Sequence, residues 1–262
     1  MKTVAMNLSS AIINFKKYRY LLYELTKKNI KLKYRRSYLG IIWTLLEPIL
    51  TTIVLTIVFI NFRGKKDHTF PIYILTGRLL YSFFSQATKQ AMKSIRNNSG
   101  MIKKVYVPKY MYPLSNILSS YIVFAISLIV LIGAMFIFKV YPTKYILNSF
   151  IPLFLILVLS LGFGLILATL AVFFRDMEYL WEVTLMLIMY TAAIFYDPAK
   201  IEDQWVFYCN PIYHIIVNFR NCIYGHPLDM QALKISMAYS FISFFIGLIL
   251  FYKKQDKFIL YI

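Results

Sequence analysis

The sequence predicts an all-α, polytopic membrane protein. It has six transmembrane helices, an N-terminal amphipathic interface helix and a re-entrant outer loop before the last span. Three observations carry that prediction. Of 262 residues, 60% are apolar and the mean hydropathy is +0.62, more apolar surface than a soluble domain of this length can hide. The apolar residues are gathered into stretches close to the ~20 needed to cross a bilayer core. The 29 lysines and arginines cluster at the ends of those stretches.

Residues 1–38 form the first unit, a cytoplasmic interface helix with a short lead-in. Phe15, Tyr18, Leu21, Leu22, Leu25 and Leu32 recur near one helical face, and Lys16, Lys17, Arg19, Lys27, Lys28 and Lys31 lie largely away from it. That pattern suits a helix in the headgroup plane, or one packed on a partner. Lys33, Arg35 and Arg36 then run straight into the first span, 39–60, where Glu47 is the one ionisable residue and Pro48 breaks the helix early. No small-residue cleavage site precedes this span, so the sequence predicts that it is kept.

A short turn, 61–69, leads to the second span, 71–92. Arg78, Gln86 and Lys89 make it too polar to face lipid all round; it should pack inside the bundle or line a water-filled path. A basic connector, 93–113, carries Lys93, Arg96, Lys103, Lys104 and Lys109. The third span is 114–138 and the fourth 150–174, with an outer loop between them. Gly162 and Gly164 fall mid-span, where small residues permit close helix packing. Arg175-Asp176-Met177-Glu178 is a charged turn in which Asp176 is placed to cap the next helix. The fifth span, 179–195, is short for a crossing. The loop 196–234 is too apolar for a solvated linker. It reads as short helices dipping into the outer leaflet or as a loop lying on the membrane. The sixth span, 235–252, and a basic tail, 253–262, end the chain. The units are thus 1–38, a transmembrane domain 39–252 and the tail. Most of the cations fall on the N-terminal side, which predicts both termini inside.

The net charge of +18 does not point to nucleic acid, because the cations sit at span ends. There they orient the protein and meet anionic lipid. No Gly-x-x-x-x-Gly-Lys-Ser/Thr tract exists to cradle nucleotide phosphates, and neither a Gly-x-Ser-x-Gly elbow nor a His-Glu-x-x-His pair is present. Three scattered histidines predict no metal site. Cys209 and Cys222 both fall in the last loop, where a disulfide and two free thiols are both open.

Several motifs occur in order. Residues 33–43, Lys-Tyr-Arg-Arg-Ser-Tyr-Leu-Gly-Ile-Ile-Trp, are followed by Glu47-Pro48. Lys103-Lys104-Val105-Tyr106-Val107-Pro108-Lys109 comes next, then Phe173-Phe174-Arg175-Asp176 with Glu178-Tyr179. Asn210-Pro211 precedes Phe219-Arg220. In this order the chain resembles the membrane subunits (permeases) of type-2 ABC exporters, in the polysaccharide-export branch that moves O-antigen, capsule, teichoic acid and rhamnan. The ending Gln255-Asp256-Lys257-Phe258-Ile259-Leu260-Tyr261-Ile262 is similar to Gram-positive rhamnose-polysaccharide export permeases.

The resemblance implies a multi-pass protein of the bacterial cytoplasmic membrane that is not itself an enzyme. It implies two copies of the chain, two separate ATPase subunits that bind ATP and Mg, and a glycan on undecaprenyl pyrophosphate as substrate. No cofactor is expected on this chain. Arg175, Asp176 and Glu178 would then contact the ATPase. Lys33, Arg35, Arg36, Lys103 and Lys104 would meet the substrate headgroup. Asn210, Pro211, Phe219 and Arg220 would form an outer gate. Aromatic faces suit the C–H faces of sugars, so Tyr73, Tyr81, Phe83, Phe84 and Tyr190 are candidates to line the channel. The competing readings are a type-2 exporter of a lipid or drug and a polyprenyl-phosphate-dependent membrane enzyme; the second would need a catalytic cluster at the interface, and the sequence offers none.

Overall fold

A computed structural model describes residues 8–35, 37–59, 68–105, 107–198 and 205–262, with side chains from residue 17 onward. Arg36 and most of the turn 61–69 lie outside the described residues. Among these residues the fold is helical throughout, with no strand. Four helical stretches are long and apolar enough to cross a membrane: Gly40–Phe59, Met111–Ile137, Lys144–Phe173 and Met230–Tyr261.

Helix α1 (Leu8–Tyr34) seats Leu22 and Leu25 against the bundle, in a cluster with Ile95, Met111, Tyr112 and Phe258. Asn29 Nδ2 adds a hydrogen bond to Ser115 Oγ at 3.3 Å. The apolar face therefore meets protein, and Leu32, expected on that face, is exposed because it borders an open cavity between α1 and the bundle. The chain turns out of α1 at Gly40, whose φ of +53° is left-handed and suits a residue without Cβ. Ser37 Oγ accepts the Gly40 N–H at 3.1 Å.

Helix α2 (Trp43–Phe59) contains Pro48. Proline has no N–H to give the carbonyl four residues back. That carbonyl, on Thr44, instead accepts Ser127 Oγ at 3.0 Å, which ties α2 to α5 at the helix defect. One side of α2 packs on the bundle through Thr52, Leu55 and Phe59, which stacks on Phe195; the other side is bare, with Ile49, Leu50, Ile53, Val54, Ile57 and Val58 exposed.

Helix α3 (Phe70–Asn97) is the centre of the molecule, packed on α5 and α6 with Ile72, Ile74, Leu80, Phe84, Ala87, Ala91 and Ile95 fully enclosed. It runs past the expected boundary, so Lys93 and Arg96 stand on its last two turns and not in a connector. Helix α4 (Ser99–Ile102) is one turn. Helix α5 (Met111–Ile137) begins before Pro113 because a proline in the first turn withholds an N–H that has no helical partner there.

Helix α6 (Phe150–Phe173) packs closely along α10 (Met230–Lys254). A Cβ on Gly162 would sit 2.5 Å from the backbone of Ser243 and Phe244, and one on Gly247 would sit 2.6 Å from the Gly162 carbonyl. Small residues thus allow this contact, as the sequence suggested.

Helix α7 (Met177–Thr191) stops at fifteen residues, after which Ala193 takes φ +50° and the chain turns. Asp176 precedes it without a side-chain capping bond, contrary to expectation: its backbone is already helical (φ −70°, ψ −10°), whereas a capping side chain needs an extended residue. Asp229 meets that requirement at the start of α10, with ψ 113° and bonds from Gln231 N and Ala232 N.

The last loop folds into α8 (Trp205–Tyr208) and α9 (Tyr213–Tyr224). Helix α9 buries Ile215, Ile216, Phe219 and Ile223 against α3, α6 and α10, so it is packed into the protein and is not a strand of chain on its surface. The two cysteines are free thiols, Cys209 exposed and Cys222 buried. The tail ends in α11 (Phe258–Tyr261), where Phe258 is enclosed by Phe173 and Phe251.

A cation-lined cleft along α3 and its fastening to α7

The polar residues of α3 fall on one stripe. Arg78, Ser82, Ser85, Gln86 and Lys89 recur at three- and four-residue steps, which a helix brings to one side. The stripe faces a cavity of 480 Å³ closed by α2, α5 and the end of α1. Trp43, Tyr81, Phe83 and Phe124 give it aromatic walls, and Lys33, Glu47, Arg78 and Lys89 give it charge. Three cations face one carboxylate, so the cleft favours an anionic or hydroxyl-rich guest. Burial pushes the Lys33 amine below its ordinary pKa, and the Glu47 carboxylate partly restores it. Arg78 lies over the Tyr81 ring, 5.8 Å from its centroid.

A second cavity of 360 Å³ continues toward the C-terminal end of α3, between α1, α3 and α5. Lys89 and Gln90 belong to both linings. The second one adds Lys28, Lys93, Ser94 and the side-chain amides of Asn29, Asn97, Asn98 and Asn116.

The neighbouring side of α3 holds α7 antiparallel, rung by rung. Glu178 pairs with Arg96 and, at 2.9 Å, with Lys93. Trp181 Nε1 donates to Thr88 Oγ1 at 3.1 Å. Glu182 lies 3.3 Å from Lys89, the Tyr81 hydroxyl donates to the Leu185 carbonyl at 2.9 Å, and Arg78 reaches the Met189 sulfur at 3.9 Å. Exposed ion pairs contribute about 0–1 kcal/mol. Trp181 instead stacks on Phe163 and meets Phe84, and aromatic pairs are worth about 0.5–1.5 kcal/mol beyond burial. The ring cluster therefore holds the middle of α7, and the ion pairs set how its first turns sit.

Beyond the C-terminal end of α7 Arg220 of α9 performs the fastening. It donates to the carbonyls of Ala193 (3.0 Å), Ile194 (3.3 Å) and Tyr73 (2.9 Å), and its guanidinium lies 3.4 Å over the Tyr73 ring. Asn210 Nδ2 donates to the Ile188 carbonyl and Thr191 Oγ1, while its Oδ1 accepts Ile212 N–H. Phe219 is buried beside them, and half-buried Pro211 links α8 to α9.

The structure distributes the sequence-predicted residues unevenly. Lys33, Tyr81 and Phe83 line the large cavity. Arg35, Lys103 and Lys104 are exposed and belong to neither lining. Phe84 is wholly enclosed, a packing residue of the interior with no surface for a passing chain. Tyr73 serves the Arg220 fastening, and its hydroxyl reaches the Tyr196 carbonyl at 2.8 Å. Tyr190 is 52% exposed on the free side of α7. Arg175 and Asp176 are exposed at the α6–α7 turn, whereas Glu178 is engaged with α3. Lys28, Asn97 and Asn116 escaped the sequence reading; their signal was only that α3 stays polar on one stripe to its end.

Residues 20–224, well over half of the chain, match the family described as ABC-2 type transporter. The chain belongs to that family. The chain is similar to the O-antigen export system permease protein RfbA of Klebsiella pneumoniae. That relative is 26% identical over 242 residues, covering 91% of this chain and 93% of the relative. It is also similar to RfbA of Myxococcus xanthus, at 24% identity over 92% and 95% of the two chains. The polysialic acid transport protein KpsM of Escherichia coli is 22% identical over 87% and 91%.

Proposed function

We propose that this permease is the membrane half of an ATP-driven exporter that carries a lipid-linked polysaccharide, a glycan on undecaprenyl pyrophosphate, across the bacterial cytoplasmic membrane. The likeness to O-antigen export permeases over nearly the whole length of both chains is the observation that carries this reading. The cleft along α3 supports it: aromatic walls offer flat contacts to sugar faces, and its cations suit a phosphate.

In this reading α3 and α7 complete six crossings with the four apolar stretches, and both termini lie inside. Two copies pair through the bare apolar sides of α2 and α7, where Ile53, Ile57, Val183 and Leu187 stand exposed. Two ATPase subunits, which bind ATP and Mg, meet the exposed α6–α7 turn at Arg175 and Asp176. Glu178 passes their movement to α3 through Lys93 and Arg96. Lys33, Arg35, Arg36, Lys103 and Lys104 form a cationic approach for the headgroup. Asn210, Pro211, Phe219 and Arg220 brace an outer gate made by α8 and α9, set into the outer leaflet as a re-entrant element.

Depleting the chain in its host tests the reading. Full-length lipid-linked glycan should accumulate on the inner side and surface glycan should fall, with recovery from a plasmid copy. Surface glycan unchanged on depletion would reject it. Asp176→Ala with Glu178→Ala should leave the chain inserted while separating ATP hydrolysis from glycan export.

A further inference from the structure

Lys89 and Lys93 face two ways. Each is paired with a carboxylate of α7, Glu182 and Glu178, and each also lines the second cavity. Lys28 of α1 completes a set of three ammonium groups there, and among the described residues no carboxylate is part of the lining. Apart from the Ser94 hydroxyl, the remaining polar wall is amide. Asn29, Gln90, Asn97 and Asn116 can donate and accept, which suits sugar hydroxyls next to a phosphate. Ligand sites run from about 300 to 1,000 Å³, so a cavity of 360 Å³ takes a small polar head and not a polymer.

We infer that this second cavity binds the phosphate end of a lipid diphosphate, and that binding draws Lys89 and Lys93 away from Glu182 and Glu178, loosening the first turns of α7 beside the α6–α7 turn. This deepens the export reading and rests on it. The exchange is balanced by construction. The Lys89–Glu182 pair is solvent-accessible, at 40% and 58% exposed, so it resists weakly; the Lys93–Glu178 pair is less open, at 43% and 20%, but Glu178 keeps Arg96 when Lys93 leaves, so its carboxylate is not stranded. A diphosphate concentrates more negative charge in one place than the two separated carboxylates, and its oxygens accept charge-assisted hydrogen bonds from all three lysines. Trp181 sits between the two pairs, one step from each, and keeps the middle of α7 fixed on Thr88 and Phe163 while its start is released.

Competition gives the inference a sign that simple structural support lacks. The experiment uses the permease with its ATPase subunits in vesicles of zwitterionic lipid, in a Trp43→Phe, Trp205→Phe background that leaves Trp181 as this chain's one tryptophan, read as the difference from the same complex carrying Trp181→Phe as well. Undecaprenyl diphosphate, without glycan, is the probe. The expected result is a saturable change in Trp181 emission, with Glu182→Gln lowering the half-saturating concentration roughly fivefold, the equivalent of one exposed ion pair. Lys93→Gln should raise it. Lys28→Gln, which lies outside the α3–α7 pairs, should raise it too and serves if Lys93→Gln does not fold. Inorganic pyrophosphate producing the same saturable change would assign the site to the phosphate group alone. Phosphatidylglycerol saturating it at equal concentration would overturn the inference in favour of bulk lipid. So would a Glu182→Gln variant with unchanged or weaker binding, or no saturable response in the unaltered chain. Glycan export in cells is scored separately, so a chain that exports glycan with no Glu182 effect rejects the exchange and leaves the export reading standing.

Discussion

Asn210 closes the C-terminal end of α7 with both ends of its amide, and it is 3% exposed. Replacement by alanine strands the Ile212 N–H away from water and leaves the Ile188 carbonyl only the long bond from Thr191 Oγ1 at 3.5 Å. An unsatisfied buried group costs about 1–3 kcal/mol, so Asn210→Ala should lower the unfolding free energy of the purified permease by that order, read from denaturant titration in detergent. An unchanged midpoint would mean that other groups satisfy both partners. The sequence singled out Asn210 and Arg220 by the motifs they belong to. It could not show what they hold, because their acceptors lie 19 to 27 residues back, or on α3 some 144 to 147 residues back. The same limit applies to Glu178. Its neighbours in the chain marked a charged turn, but only the antiparallel fold brings Lys93 and Arg96 to it.

At the scale of helices, the apolar spans were legible because their composition alone sets them apart. α2, α5, α6 and α10 all appear close to the expected limits. Helix α3 was legible in kind: its cations and amides foretold an interior position beside a polar space. Its end was not legible, because Lys93 and Arg96 read as a connector until Glu178 of α7 supplies a reason to stay helical. Helix α1 showed the converse problem. Its hydrophobic stripe declares an apolar neighbour without saying whether lipid or protein provides it, and here Leu22 and Leu25 find protein. The contact of α6 with α10 yields a direct prediction. A Cβ at Gly162 meets backbone atoms that cannot rotate away, and forcing such contacts costs typically 1–3 kcal/mol or more. Gly162→Ala should therefore lower the thermal midpoint in detergent, whereas Gly133→Ala, where a Cβ meets nothing, should not.

For the whole molecule, the distribution of charge predicts a direction across the bilayer, and the chain carries its own reporter for it. Cys209 is exposed and Cys222 is buried. A membrane-impermeant maleimide added to intact cells should modify the unaltered permease once, at Cys209, and Cys209→Ser should abolish the label. Labelling only after the membrane is opened would reverse the proposed orientation. One further consequence concerns the bilayer itself. Helix α7 has fifteen residues, about 22 Å at 1.5 Å per residue, and the chain turns at Ala193 without extending it. A hydrocarbon layer is about 30 Å thick. With α7 as one of the six proposed crossings, any lipid touching the part of it that the second copy leaves uncovered would have to compress to meet so short a wall, at a cost of fractions of a kcal/mol for each ångström of mismatch. On that reading the permease would carry a dimple in its own membrane, and a polar polymer passing there would cross a thinner oil barrier than elsewhere. Turnover in the reconstituted complex should accordingly fall as the acyl chains of a phosphatidylcholine series lengthen. Turnover independent of chain length would mean that protein, and not lipid, surrounds this helix.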